Sequence, residues 1–191
     1  IAGLCRDRGL LLVLDEVQTG MCRTGKWFAF QHEGILPDVM TLSKSLGNGV
    51  PIGACLAREQ ASAPMTAGSH GTTFGGNPLA ASAALAVIGS LKQGRLDQRA
   101  AELGVRMLDG FRKNLAGVKG VRQIRGLGLM LGIELEQNCA ELVLAGLQQN
   151  ILINVTADKV IRLLPPLIIS DAEADLIITT VTGLILTMLK G

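Results

Sequence analysis

Two short aliphatic runs, Leu10–Leu14 and Val39–Leu42, each stop at charged residues: Asp15-Glu16 after the first, Ser43-Lys44 after the second. Runs of four to six aliphatic residues without polar alternation are the pattern of buried strands in parallel sheets. In open α/β sheets, ligands bind just beyond the carboxyl ends of such strands. Two neighbouring strands of this kind would aim Asp15 and Lys44 into one crevice, a carboxylate and an amine facing a common ligand.

The rest of the chain narrows the class. It has 191 residues, 48% hydrophobic and 18% charged, enough for one large or two small domains. A net charge of +2 without a long basic run gives no footing for nucleic acid or a membrane surface. Cys5, Cys22, Cys55 and Cys139 form no CxxC pair and there are only two histidines, so no zinc or other metal site is expected. That cysteine usage fits a reducing cytoplasm. The chain opens on Ile1, inside a helical-looking segment and without a signal peptide, which reads as a fragment whose N-terminal part is missing. The most apolar stretch, Leu176–Leu189, has 14 residues, short of the roughly 20 a membrane span needs. Ser170 with Glu173 forms a capping box that starts a buried terminal helix there.

The expected order of elements is a helix stopped by Gly9, a strand at Leu10–Leu14, a loop-rich stretch over 18–37, and a strand at Val39–Leu42. A strand at Ile52–Ala57 and a polar, glycine-rich functional loop over 61–76 come next. Asn77-Pro78 is an N-cap followed by proline at the first helical position, opening an alanine-rich helix to about Leu91. The small residues of that helix suit close packing, such as a subunit interface. A boundary near Gly94 separates residues 1–93 from 94–191. The second part reads as α+β. It has a long amphipathic helix at Leu96–Leu115, a strand at Gly128–Leu135, a helix from Asn138 capped with Glu141, strands at Ile151–Val155 and Val160–Leu163, and the terminal helix.

Asp15-Glu16 admits three readings. One is the acidic strand end of a P-loop ATPase, holding magnesium. Another is a carboxylate paired with a cofactor's ring nitrogen, keeping a pyridine protonated as an electron sink. The plain one is a solvated strand end. The ATPase reading needs GxxxxGK[ST], which this sequence lacks. Lys44 alone is an ordinary surface lysine. Beside buried apolar surface its charged form is disfavoured and the amine is freed for Schiff-base chemistry. Thr72-Thr73-Phe74-Gly75-Gly76-Asn77 offers hydroxyls and open backbone N–H groups next to a helix start, which suits phosphate as well as it suits a plain loop. His70 beside it reads as solvated, and His32 lies in a helical patch. Arg162 is a lone cation in an apolar strand and needs an anion, either a substrate carboxylate or an internal glutamate. Arg23 and Lys26 read as surface charges.

With those residues in place, the chain resembles the class III (ornithine/GABA-type) aminotransferases through LVLDEVQTG, RTGKWFAF, PDVMTLSKSLGNGVPIGA, HGTTFGGNPLA and IRLLPPLIIS. The blocks stand in family order, with 29 positions from Asp15 to Lys44 and 29 more to Thr73. The resemblance implies an α/β chain of fold type I: part of the large, mainly parallel-sheet domain followed by a small α+β domain. It implies pyridoxal 5′-phosphate as cofactor and a homodimer with shared active sites. Lys44 would attach the cofactor and move the proton, and Asp15 would pair with the pyridine nitrogen. Glu16, Val17 and Gln18 would be further cofactor contacts, Val17 on the ring face and Gln18 near the ring hydroxyl. Thr73 would bind the phosphate held by the neighbouring subunit, while Thr72 and Arg162 would lie near substrate. The implied reaction passes an ω-amino group from N-acetylornithine, or a succinylated analogue, to 2-oxoglutarate. Other class III donors (ornithine, succinylornithine, GABA), an inactive fragment and the ATPase remain the alternatives. Two departures stand out: Cys22 replaces the second glycine of the family's G-x-G-R-T-G turn, and the loop from Arg58 to Gly68 differs from the family's usual run. The resemblance also places other phosphate contacts, a stacking aromatic and a carboxylate-binding arginine upstream of Ile1.

Overall fold

A computed structural model describes residues 1–190; Gly191, the last residue of the second expected domain, lies outside the described residues, as does the side chain of Glu59. The chain separates into two compact units, Ile1–Asp97 and Gln98–Gly191.

The first unit begins with α1 (Ala2–Asp7). Gly9, at φ +63, ends it in the left-handed conformation glycine adopts without a Cβ clash. Three strands form one sheet in the order β1 (Val13–Asp15), β2 (Val39–Leu42), β3 (Ala54–Ala57). β1 and β2 run parallel, and β2 and β3 antiparallel. The first expected strand is shortened. Leu10 and Leu11 fall outside β1 and, with Val13, are more than half exposed, so β1 is not the strand buried on both faces that its composition announced. Among the described residues β1 pairs on one side only, which leaves part of its aliphatic surface open. β2 does bury one face, Met40 and Leu42, against alternating half-buried Val39 and Thr41.

A short helix, α2 (Glu59–Ser62), takes the first two positions of the stretch expected as a loop over 61–76. α3 (Pro78–Gln93) begins as its sequence announces: Asn77 Oδ1 accepts the Ala80 N–H at 3.0 Å and Pro78 takes the first turn. Ala80, Ala84 and Leu91 are buried, while Leu79 and Leu85 face outward.

The second unit holds most of α4 (Leu96–Asn114), then β4 (Val121–Leu127) and β5 (Met130–Leu135), α5 (Leu142–Gln148), β6 (Asn154–Thr156), β7 (Val160–Leu163) and α6 (Asp171–Met188). Its sheet is antiparallel throughout, in the order β4-β5-β7-β6. One face carries Leu131, Ile133, Ile161 and Leu163 into a core with Leu103, Met107 and Phe111 of α4 and Ile178, Val181 and Ile185 of α6. The capping box forms: Ser170 Oγ accepts the Glu173 N–H at 3.2 Å and Glu173 Oε2 accepts the Ser170 N–H at 2.7 Å. The Ser170 N–H, joined by the Ser170 hydroxyl donating to the same Oε2 at 2.8 Å, holds the Glu173 carboxyl below its ordinary range. No helix among the described residues is long and apolar enough to cross a membrane.

Two expectations here need correction. β4 was not expected, because VRQIRGL shows only Val121 and Ile124 to the interior and reads as polar. Asn138 does not start a helix. Its Oδ1 accepts the Ala140 N–H at 2.9 Å in a local turn, and α5 begins at Leu142 without a side-chain cap from Glu141.

Gly104 of α4 lies so close to the β4–β5 turn that a Cβ there would stand 2.2 Å from the Gly128 carbonyl oxygen. Alanine normally stabilises a helix interior over glycine by up to about 1 kcal/mol. Here the sign inverts: Gly104→Ala is expected to destabilise by about 1–3 kcal/mol, read as a lowered midpoint in urea unfolding. An unchanged or raised midpoint would contradict this packing.

Candidate active site

The site starts from the alternation of side chains along a strand. Consecutive residues point to opposite faces, so Asp15 and Glu16 cannot act together. Asp15 is exposed at the end of β1 and in register with Thr41 of β2. Its Oδ1 accepts two hydrogen bonds, from the Val17 N–H at 2.9 Å and from the Thr41 hydroxyl at 3.1 Å. Glu16 is 3% exposed and turns inward. Its carboxylate accepts the Ala29 N–H at 3.0 Å, the Phe30 N–H at 2.9 Å and the Thr19 hydroxyl. It clasps the return of a long loop to the strand end. Of Asp15, Glu16, Val17 and Gln18, all expected near a cofactor, Glu16 therefore presents no free carboxylate. Val17 and Gln18, which follow the two acids, are half-buried. Gly20 completes the turn: its N–H bonds the Glu16 carbonyl at 2.9 Å, and a Cβ would stand 2.8 Å from that oxygen.

Inside the loop, Met21 (φ +56) and Cys22 (φ +70) are consecutive left-handed residues, both buried. Cys22 thus occupies a conformation that glycine takes without strain. Burial, with the Asp97 charge adding to it, pushes its thiol up to about 12, so it is no nucleophile. Arg23 is not the surface charge expected: burial lowers its pKa from the ordinary value. Lys26 is exposed and donates to the Gln31 carbonyl at 2.9 Å, and His32 Nε2 lies 3.2 Å from the Thr24 hydroxyl.

Lys44 follows Thr41 by three residues at the exit of β2. Parallel strands lie about 5 Å apart, and three residues span at most about 11 Å. The register therefore delivers Asp15 and Lys44 to neighbouring strand ends. Lys44 is exposed, which corrects the expectation that it lies against buried apolar surface. Its distinction is in the backbone, at φ +44, a conformation costing about 1 kcal/mol or more for a side chain with a Cβ. The following loop holds it there. Ser43 Oγ donates to the Ile52 carbonyl at 2.8 Å, and the Gly47 and Asn48 N–H groups both reach the Lys44 carbonyl at 3.1 Å. Gly47 admits no side chain, since a Cβ would stand 2.0 Å from the Val50 carbonyl oxygen.

The threonine loop meets this one. Phe74–Asn77 and Ala80 wall a cavity of about 620 Å³ whose other side is Ser43 and residues 50–53. Thr72 Oγ accepts the Gly75 N–H at 3.2 Å, shaping the loop, whereas Thr73 and His70 are exposed. Arg162 belongs to the second unit, on β7, in register with Gly132 and Asn154. Its Nε is buried without a hydrogen-bond partner among the described residues. Of the two anions the sequence allows for it, no glutamate pairs with it among the described residues; Glu134, on the neighbouring strand, pairs with Arg122 at 2.9 Å and Arg125 at 2.6 Å. No cluster of three metal-ligating side chains occurs among the described residues.

Sequence reading passed over Thr41, Ser43 and Gly47. The signal for Thr41 was a hydroxyl set in an aliphatic strand, at the position whose alternation opposes Met40 and Leu42.

The family model described as aminotransferase class-III matches residues 1–185. An acetylornithine aminotransferase 1 of Bordetella bronchiseptica is 53% identical over 182 residues, which is 95% of this chain and 46% of that protein. An ornithine aminotransferase structure from Toxoplasma gondii, described with partial occupancy of PLP at its active site, superposes with a TM-score of 0.94 at 37% identity, covering 99% of this chain and 47% of that one. An acetylornithine aminotransferase structure from Elizabethkingia anophelis superposes at 0.91 with 33% identity, covering 97% and 48%. The chain spans about half the length of the curated relatives it matches. The fold is that of pyridoxal-phosphate aminotransferases, and the chain belongs to the class III aminotransferases.

Proposed function

We propose that the complete protein transfers the ω-amino group of N-acetylornithine, or a succinylated analogue, to 2-oxoglutarate, yielding the semialdehyde and glutamate. The observation that carries this reading is the register of β1 on β2, which presents Asp15 and Lys44 from adjacent strand ends. The donor is inferred from the acetylornithine aminotransferase names of the relatives. The ornithine aminotransferases among the solved structures keep ornithine as the second reading. The setting proposed is arginine biosynthesis in the cytoplasm, with a homodimer as the working unit.

Pyridoxal 5′-phosphate fits what this chain offers. Both hydrogen bonds described on Asp15 fall on Oδ1, so Oδ2 would be available to a ring nitrogen, and Lys44 stands two residues beyond the end of β2. When bound, the cofactor supplies a cationic pyridine that stabilises negative charge on the donor carbon. Asp15 holds the ring-nitrogen proton by charge-assisted hydrogen bonding. Lys44 anchors the cofactor and then, as a free amine, carries the proton from the donor carbon. Val17 packs on the ring and Gln18 donates near its hydroxyl. The exposed Thr73 hydroxyl reaches the phosphate held by the neighbouring subunit, with Thr72 beside the donor. Arg162, whose Nε is buried without a hydrogen-bond partner among the described residues, would receive a carboxylate.

A donor panel tests the reaction. With 2-oxoglutarate as acceptor, kcat/KM for N-acetylornithine or its succinyl analogue should exceed that for ornithine and GABA by at least about tenfold, equivalent to 1.4 kcal/mol. A preference for ornithine would replace the donor, and no glutamate from any donor would end the proposal. Lys44→Ala should reduce turnover by at least about a thousandfold, since it removes both anchor and base. Near-normal turnover would contradict that role. Thr73→Ala should weaken cofactor retention by about tenfold, the worth of one charged hydrogen bond, in a fluorescence titration; equal retention would place the phosphate elsewhere.

A further inference from the structure

We propose that Thr41 is a positioning residue for Asp15, its hydroxyl fixing the carboxylate so that Oδ2 is presented to the ring nitrogen. This rests on the role just given to Asp15. Three observations carry it. The two residues are register partners across parallel strands, and the Thr41 Oγ–H donates to Asp15 Oδ1 at 3.1 Å. The same oxygen already accepts the Val17 N–H at 2.9 Å. An aspartate χ2 torsion is broad and roughly twofold, so one donor leaves the plane of the carboxylate loose. Two donors on one oxygen, one from each strand end, define that plane. The Thr41 carbonyl, in turn, accepts the Glu16 N–H at 3.0 Å, so a single residue ties down both acids.

The strand itself does not require the hydroxyl. Met40 and Leu42 supply the buried face, and valine would serve position 41 equally well as a β-branched residue. Threonine adds one donor, aimed at the carboxylate, and its β-branching restricts the χ1 torsion that carries it. Three residues later the chain delivers Lys44, so Thr41 links the acid to the segment that carries the amine.

The test is a double-mutant cycle on the complete holoprotein, with Thr41→Val, Asp15→Asn and the pair, and with Thr41→Ser as the rescue. Thermal unfolding of each variant controls for folding, and Thr41→Ala serves as the hydroxyl deletion should the valine variant not fold. The readouts are the dissociation constant for pyridoxal 5′-phosphate, the absorbance maximum of the bound cofactor, and kcat and KM for the donor. Thr41→Val should lower kcat and cofactor affinity by about tenfold, shift the absorbance maximum in the same direction as Asp15→Asn does, and leave the donor KM within about twofold. Thr41→Ser should return all three to near the wild-type values. In the Asp15→Asn background, Thr41→Val should cost less than about twofold further, because its effect runs through that carboxylate. An equal cost in both backgrounds, no effect at all, or failure of serine to rescue would overturn the positioning role. If Asp15→Asn itself leaves affinity, spectrum and kcat intact, the assignment of Asp15 falls first, and that result is distinguishable from failure of Thr41 alone.

Discussion

The geometry of this site depends on the parallel pairing of β1 with β2. That register sets Asp15 opposite Thr41 and brings Lys44 out three residues later. Side-chain alternation then divides two adjacent acids into separate roles. Asp15 faces out with one carboxylate oxygen engaged, and Glu16 faces in with its carboxylate saturated by the returning loop. A slip of one residue would exchange the two, sending the clasp outward and the exposed acid into the interior.

Backbone strain is present around the same residues, as it is at Ala157 and Asp158 of the second unit. Lys44, Asn48, Met21 and Cys22 are left-handed without being glycine, and Gly20 and Gly47 occupy places where any Cβ would strike a carbonyl. Such conformations persist only where surrounding bonds over-determine them. Here the Ser43–Ile52 hydrogen bond, the paired N–H groups on the Lys44 carbonyl and the Glu16 clasp supply that constraint. The second unit shows no comparable crowding of function. Its four-stranded sheet and two long helices bury a conventional aliphatic core; Arg162 Nε and Thr182 Oγ1 are buried without a hydrogen-bond partner among the described residues.

Much of this was legible in the chain itself. The Asn77-Pro78 start and the Ser170–Glu173 box were readable because helix caps are local chemistry. β2 was readable from its aliphatic run and the α4 helix from periodicity. β4 was not, because a strand with arginine at two of its seven positions lacks an apolar face long enough to register. The extent of β1 was overread, since an aliphatic run says that residues want to be covered without saying what covers them. At the site, the ends of two aliphatic runs singled out Asp15 and Lys44 as candidates. They could not tell that Glu16 turns away, that Lys44 is exposed, or that Glu134 is committed to Arg122 and Arg125. Each of these is a matter of which atom faces which, and that is set by register and loop closure rather than by composition.

The claim that Asp15 and Lys44 serve a single cofactor is tested most directly by chemical trapping. The complete protein is loaded with pyridoxal 5′-phosphate, reduced with borohydride, and digested for peptide mapping by mass. A single pyridoxyl group on Lys44, lost when excess amino donor is added before reduction, is the result this geometry predicts. A label on another lysine, or none at all, would contradict it.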